Sequence, residues 1–308
     1  MNGEPWAFLN GQLIPASQLM IPAYDAGFVL GATVSEQLRT FGGKLFKLDE
    51  HLARLKRGLE IVGVDLGYSF EQLGQWASDL ATDNYSLLDP ADDLGLTIFV
   101  TPGPYATLAP AKVLRRPTVG MSTYPLPFHL WAEKYETGEQ LVVSKVRQVP
   151  AASWPRELKC RSRMHYFLAE QDVRQRVPGA RPLLLDEQGK VNETPTANIV
   201  AFWKEDGLVT PPRSDVLPGI SQGAVVELAK RHDIPLLEVP ISQRDLCSSE
   251  ELFVTSTPFC LLPVVKVDEA PIGNGRPGVE YRKLLDAWSR DVGVDIAAQA
   301  KRFGQRGT

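Results

Sequence analysis

Apolar and polar positions along the chain change period repeatedly, and the changes mark out short strands and helices. Residues 6–10 (WAFLN) and 12–16 (QLIPA) flank Asn10-Gly11, a dipeptide that favours a two-residue hairpin turn. After a loop around 25–31 (DAGFVLG), residues 33–41 (TVSEQLRTF) read as a strand, Gly42-Gly43 as a turn and 44–48 as a short strand. Residues 49–64 then place Leu52, Leu55, Leu59 and Ile61-Val62 close to one helix face. A second helix is predicted over 70–83, followed by strands over 94–101 and 119–126.

The strand pattern breaks at Pro125 and Pro127, which sets the expected domain boundary. The partition is a first domain over 1–125, a linker over 126–138 and a larger second domain over 139–308. The second series begins with a strand over 140–149, then a loop and helix over 158–175. Hairpins follow over 181–193 and 198–212, then a helix over 220–233, strands over 251–257 and 261–267, and a terminal helix over 279–292. Hairpins interleaved with helices predict mixed α/β (α+β) domains, not an alternating βαβ array. The length of 308 residues agrees with two domains.

Composition narrows the function classes. With 33 Lys and Arg against 37 Asp and Glu, the net charge of -4 gives no support to broad nucleic-acid binding. A small anionic ligand needs only a few local donors, so the total does not exclude one. Cys160, Cys247 and Cys260 form neither a disulfide framework nor a zinc module, and the four histidines lack metal-ligand spacing. The start carries no basic region followed by an apolar core, and no apolar run approaches the roughly 18 residues of a membrane span. A reducing, cytoplasmic location is expected.

Candidate chemistry sits in a few segments. The glycines of GNGRPG (Gly273, Gly275, Gly278) match a dinucleotide fingerprint in spacing only; too little chain follows for a strand-helix-strand unit, so a turn is predicted. In LPGISQGAVVEL, Pro-Gly leads into a helix and places Ile220 and Ser221 where N–H groups lack intrahelical partners, suiting either a phosphate or an ordinary cap. Lys159 lies among Arg156, Arg161 and Arg163, where nearby charges or burial would lower its pKa and free its amine as a nucleophile or base, although by itself the segment reads first as a solvated basic loop. Glu193 is an acid at the end of a hairpin.

Taken in order, these segments resemble the class IV, fold-type IV pyridoxal-phosphate enzymes: branched-chain aminotransferases, D-amino acid aminotransferases and aminodeoxychorismate lyases. The resemblance runs from DAGFVLGATVSEQLRTFGGKLFKLDEHLARL through the lysine segment, LLLDEQGKVNETPTANIVAF and VTPPRSDVLPGISQ to FVTSTPFCLLPV. It implies two domains with pyridoxal 5′-phosphate in the cleft between them, and Lys159 as the catalytic Schiff-base lysine. Glu193 would bind the pyridine nitrogen, Arg54 of His51-Leu52-Ala53-Arg54-Leu55 the phosphate, and Ile220, Ser221, Ser256 and Thr257 would complete the phosphate cup.

The resemblance also implies a homodimer, with the segment near Pro104–Pro110 reaching the neighbouring subunit's site. The implied partners are an amino donor and an oxo-acid acceptor. The implied reaction is transamination; a lyase of the aminodeoxychorismate type and a silent binding protein are the alternatives. Three departures bear on substrate. Ser35 stands where many relatives place an aromatic residue, PGPYATLAP lacks an arginine that some relatives use, and CRSRMHY replaces a glycine-rich run. Ser35, Arg161, Arg163 and Tyr105 are therefore the substrate-side candidates, while Tyr166 lies too far along to be assigned the cofactor contact.

Overall fold

The computed structural model describes Gly3–Gln305, so the extreme ends of the two expected domains lie outside it. Two compact units emerge. The first comprises the chain up to Leu126 together with Glu157–Ser162, and the second Pro127–Arg156 with the chain from Arg163 onward.

In the first unit, β1 (Trp6–Leu9) and β2 (Gln12–Pro15) form the predicted hairpin. Its turn residues Asn10 and Gly11 have φ of 52° and 92°, the left-handed pair that such a turn requires. After the single turn α1 (Ala26–Val29) come β3 (Val34–Phe41) and β4 (Lys44–Leu45). The strand expected over 44–48 is thus only two residues long. Lys47, with φ of 50°, caps the next helix.

That helix, α2 (Leu48–Val62), and α3 (Phe70–Tyr85) lie against the sheet completed by β5 (Leu94–Thr101) and β6 (Thr118–Pro125). Strand order is β2-β1-β6-β5-β3-β4, with every pair antiparallel. Strand β3 is buried along nearly its whole length, on both faces. Val34 and Leu38 join Leu52, Leu55 and Leu59 of α2 in the core, and Glu36, between them in register, points the same way.

The second unit holds α4 (Lys134–Thr137), β7 (Glu139–Val143), α5 (Met164–Arg176), β8 (Arg181–Leu183), β9 (Glu193–Thr194), β10 (Ala197–Trp203) and β11 (Gly207–Thr210). It continues with α6 (Ile220–Arg231), β12 (Leu236–Glu238), α7 (Gln243–Cys247), β13 (Glu251–Ser256), β14 (Cys260–Val267), β15 (Ala270–Pro271), α8 (Val279–Val292) and α9 (Ile296–Phe303). Its mixed sheet runs β12-β11-β10-β13-β14-β7-β8, with β9 on β10 and β15 on β14. Buried Val225, Leu228, Leu284 and Trp288 give α6 and α8 their inner faces.

Three expectations change here. Residues 127–138 are not a linker: Phe128, Trp131 and Tyr135 are buried in the second unit. Residues 157–162 belong to the first unit, because their backbone bonds to the start of β3. The helix α9 escaped the sequence reading. The turn expected at GNGRPG is present, with φ of 54° at Gly273 and 73° at Gly275.

Candidate active site

In the first unit, the lysine segment is stapled to β3. Ser35 N–H donates to the Lys159 carbonyl at 2.9 Å, Arg161 N–H to the Thr33 carbonyl at 2.9 Å, and Ser162 Oγ to the Gly31 carbonyl at 2.8 Å. Leu158 packs on the core. Arg57 of α2 holds Glu157 through Nε at 3.2 Å and Nη2 at 3.1 Å. Lys159 is therefore a half-buried residue on a short, well-anchored bridge.

Beside it, α2 projects His51 and Arg54, three positions apart on one face. Arg54 donates from Nε to Glu36 Oε1 and from Nη2 to Glu36 Oε2, each at 2.7 Å, and His51 Nδ1 meets Oε2 at 2.8 Å. Burial alone would raise the Glu36 pKa. The Arg54 charge and the bonds from Arg54 and His51 outweigh it and hold the carboxyl well below its usual range. Burial, with the Arg54 and Lys159 charges, pushes His51 down against the opposing pull of Glu36. Because the Glu36 carboxylate only accepts, His51 carries a proton on Nδ1 toward it; its buried Nε2 has no hydrogen-bond partner.

The other candidates in this unit are spread out. Ser35 Oγ is buried without a hydrogen-bond partner, and the charge of exposed Arg161 is felt by the Tyr124 hydroxyl, which bonds Gln37. Tyr105 sits in a turn whose N–H donates to the Tyr24 carbonyl at 2.8 Å.

In the second unit, Glu193 is buried and accepts from three sides. Tyr166 Oη donates to Oε1 at 2.7 Å, Gln148 Nε2 to Oε1 at 2.5 Å, and Leu217 N–H to Oε2 at 3.4 Å. Burial, then the Glu193 charge, pushes the Tyr166 hydroxyl well above its ordinary pKa, so it remains a donor. Leu217 leads within three residues into α6, whose cap is Gly219 and which has no side-chain cap. A Cβ on Gly219 would lie 2.0 Å from Asn198 Oδ1, so a side chain there would force Asn198 or the helix start to shift. Ile220 and Ser221 open the helix as expected, with N–H groups that have no intrahelical acceptor.

Ser256 and Thr257 follow at the end of β13, where Ser256 Oγ donates to the Thr196 carbonyl at 2.7 Å. That bond occupies the Ser256 hydroxyl proton, leaving it only as an acceptor. Arg163 stands at the N-cap position of α5 in this unit, while Arg161 belongs to the first. By contrast with α6, the start of α8 is closed by the protein itself: Glu251 accepts from the N–H groups of Glu280 at 2.9 Å and Tyr281 at 2.8 Å. Among the described residues no His, Cys, Asp and Glu group could hold a metal.

The sequence reading left Tyr166 unassigned and did not single out Gln148, Glu36 or His51; Tyr166 and Gln148 bond Glu193, and Glu36 and His51 join Arg54. Glu36 had a readable signal: a carboxylate in register between two apolar residues on the core side of a strand. Gln148 had none, because it lies in a loop.

The model of the family described as amino-transferase class IV matches residues 33–267, and the chain belongs to that family. Its fold is that of the fold-type IV aminotransferases. A D-alanine aminotransferase of Bacillus licheniformis is 28% identical over 285 residues, covering 92% of this chain and 95% of that protein. Among solved structures, the Escherichia coli branched-chain amino acid aminotransferase superposes with a TM-score of 0.82 at 23% identity, covering 93% of this chain and 94% of that one. The branched-chain aminotransferase of Thermoproteus uzoniensis, solved with norvaline, gives 0.81 at 23% identity, covering 98% and 97%. A further branched-chain amino acid aminotransferase structure, from T.th., contains pyridoxamine 5′-phosphate; it gives 0.82 at 21% identity, covering 95% of each chain.

The side chains suit such a cofactor. A carboxylate fixed by three donors matches a protonated ring nitrogen, and an uncapped helix start matches a phosphate.

Proposed function

We propose that the protein binds pyridoxal 5′-phosphate and transfers the amino group of an amino acid or related amine to an oxo acid. The observation that carries this reading is the course of Leu217–Ser221. One short segment touches Glu193 at its beginning and opens an uncapped helix at its end, joining an acid site and an anion site.

When bound, the cofactor supplies an electron sink that stabilises negative charge at the donor's Cα. Glu193 holds a proton at the ring nitrogen, with its plane set by Tyr166, Gln148 and Leu217. The N–H groups of Ile220 and Ser221, with Ser256 and Thr257, are the phosphate-side groups of the second unit in this reading, and Arg54 is that of the first. Lys159 would hold the cofactor through Nζ, and its amine would serve as the base toward the donor's Cα. The bridge to β3 limits where that amine can reach. Ser35, Arg161, Arg163 and Tyr105 are the substrate-side residues in this reading, and the unpartnered Ser35 hydroxyl supports its part.

Exposed Met20, Ile21, Phe28 and Leu30, close together in sequence around α1, support a homodimer. Cys160, Cys247 and Cys260 form no disulfide, which suits a cytoplasmic location, and no described helix is long and apolar enough to cross a membrane.

Reconstitution with pyridoxal 5′-phosphate, followed by a panel of L-amino acids, D-amino acids and amines, tests the function. The expected result is a visible absorption band in the wild type, absent in Lys159→Ala, that bleaches as oxo product accumulates stoichiometrically. A colourless protein indistinguishable from Lys159→Ala would refute it.

A further inference from the structure

We propose that Glu36 is a positioning residue for the cofactor phosphate, locking Arg54 in the orientation that receives it. The inference rests on the reading of Arg54 as a phosphate ligand. Glu36 is fully buried on the core side of β3, where a carboxylate is tolerated only with strong partners. Its partners are the Nε and Nη2 edge of Arg54, at 2.7 Å each, and His51 Nδ1 at 2.8 Å.

Two parallel bonds fix the guanidinium plane, because guanidinium and carboxylate are both flat and their forks match. They occupy one edge of the group and turn the Nη1 side away from Glu36. The base of the arrangement is rigid as well. His51 and Arg54 stand one turn apart on α2, and Leu52 and Leu55 between and beside them are core residues. His51 contributes a third bond to the same carboxylate and keeps its proton on Nδ1.

The arrangement has a consequence that separates geometry from charge. Glu36 neutralises Arg54, so removing the carboxylate makes the site more positive. If charge alone governed phosphate affinity, Glu36→Gln would bind the cofactor more tightly. If Glu36 acts by fixing the fork, the same substitution releases Arg54 into many rotamers and binding weakens.

The test is equilibrium titration of full-length apoprotein with pyridoxal 5′-phosphate and with pyridoxal, which lacks the phosphate, followed by absorbance. Glu36→Gln is expected to raise the dissociation constant for the phosphorylated form about tenfold or more, the scale seen when the orienting partner of a metal-ligating side chain is removed. Pyridoxal affinity should stay within about twofold, a tenfold change being about 1.4 kcal/mol. Equal or tighter binding of the phosphorylated form by Glu36→Gln overturns the proposal, as does an equal loss for both ligands.

Arg54→Gln is the control for the underlying reading: if it fails to discriminate between the two ligands, Arg54 is not the phosphate ligand and that reading falls. If Arg54→Gln discriminates and Glu36→Gln does not, only the positioning role falls. Should Glu36→Gln fail to fold by circular dichroism, Glu36→Asp keeps the charge and withdraws the fork by one methylene. The same phosphate-selective loss is then expected, and wild-type selectivity in Glu36→Asp overturns the proposal.

Discussion

Tyr166 Oη donates to Glu193 Oε1 at 2.7 Å, so an aromatic side chain from the first turn of α5 sets the orientation of a carboxylate on β9. The bond is between a neutral donor and a charged acceptor, a class worth about 1.5–3 kcal/mol. Tyr166→Phe removes it with little change in shape. Rapid-mixing measurement of the amino-donor half-reaction should show a loss of about tenfold or more, with cofactor still bound. An unchanged rate would show that Gln148 and Leu217 suffice. Glu193→Gln should cost more, about 100-fold or beyond, because in the proposed reading it replaces the acceptor that holds a proton at the ring nitrogen.

Acid stability should report on the Glu36 cluster. Its folded pKa lies below the unfolded one, so it adds stability above the ordinary carboxylate range, and that stability is lost as pH falls through the folded value. Urea denaturation from pH 7 downward should therefore show a steep decline below about pH 4. Glu36→Ala, which strands Arg54, should lose about 3–5 kcal/mol at pH 7 and show a shallower acid decline.

A methyl group at Gly219 would collide with Asn198 Oδ1 at 2.0 Å, and Asn198 also donates to the Leu217 carbonyl at 2.8 Å. Gly219→Ala should shift the start of α6, destabilise the protein by about 1–3 kcal/mol and weaken binding of inorganic phosphate. Calorimetry and phosphate competition against the cofactor would measure the two effects. Wild-type values in both would show that the helix start adapts.

His165, whose ring lies 4.1 Å from that of Tyr166, is pushed down to about 4 by burial and then by the Arg156 and Arg163 charges. Its imidazole resonances should titrate near there in NMR, not near the ordinary 6.5. Because the folded pKa is lowered, this residue favours folding above pH 6.5 and loses that contribution between 6.5 and about 4. A titration midpoint above about 6 would contradict the environment described.

The strand and helix order was legible because the period of hydrophobicity changes at each boundary. The hairpin at Asn10-Gly11 and the helix α2 follow from local rules alone. What local rules could not supply was long-range closure. Phe46 and Lys47 continue an apparent strand, yet the chain leaves it at once for α2. Phe128 and Tyr135 sit in a proline-rich stretch that resembles a linker, but both are core residues. Lys159, Glu193 and the start of α6 were the candidates that motif order offered. Gln148 was not among them, because only tertiary structure brings it to Glu193.

The return of Glu157–Ser162 to the first unit bears on biosynthesis. The ribosome completes the six-stranded sheet by Pro125, but the edge of β3 at Val34 has no Cys160 beside it until a further 35 residues are made. During that interval the first unit has an unfinished border and the Lys159 amine is absent. A fragment ending at Leu126 would therefore be a sheet with an open seam, prone to sticking to other chains at that strand. The nascent chain gains its candidate nucleophile and closes that seam at the same moment.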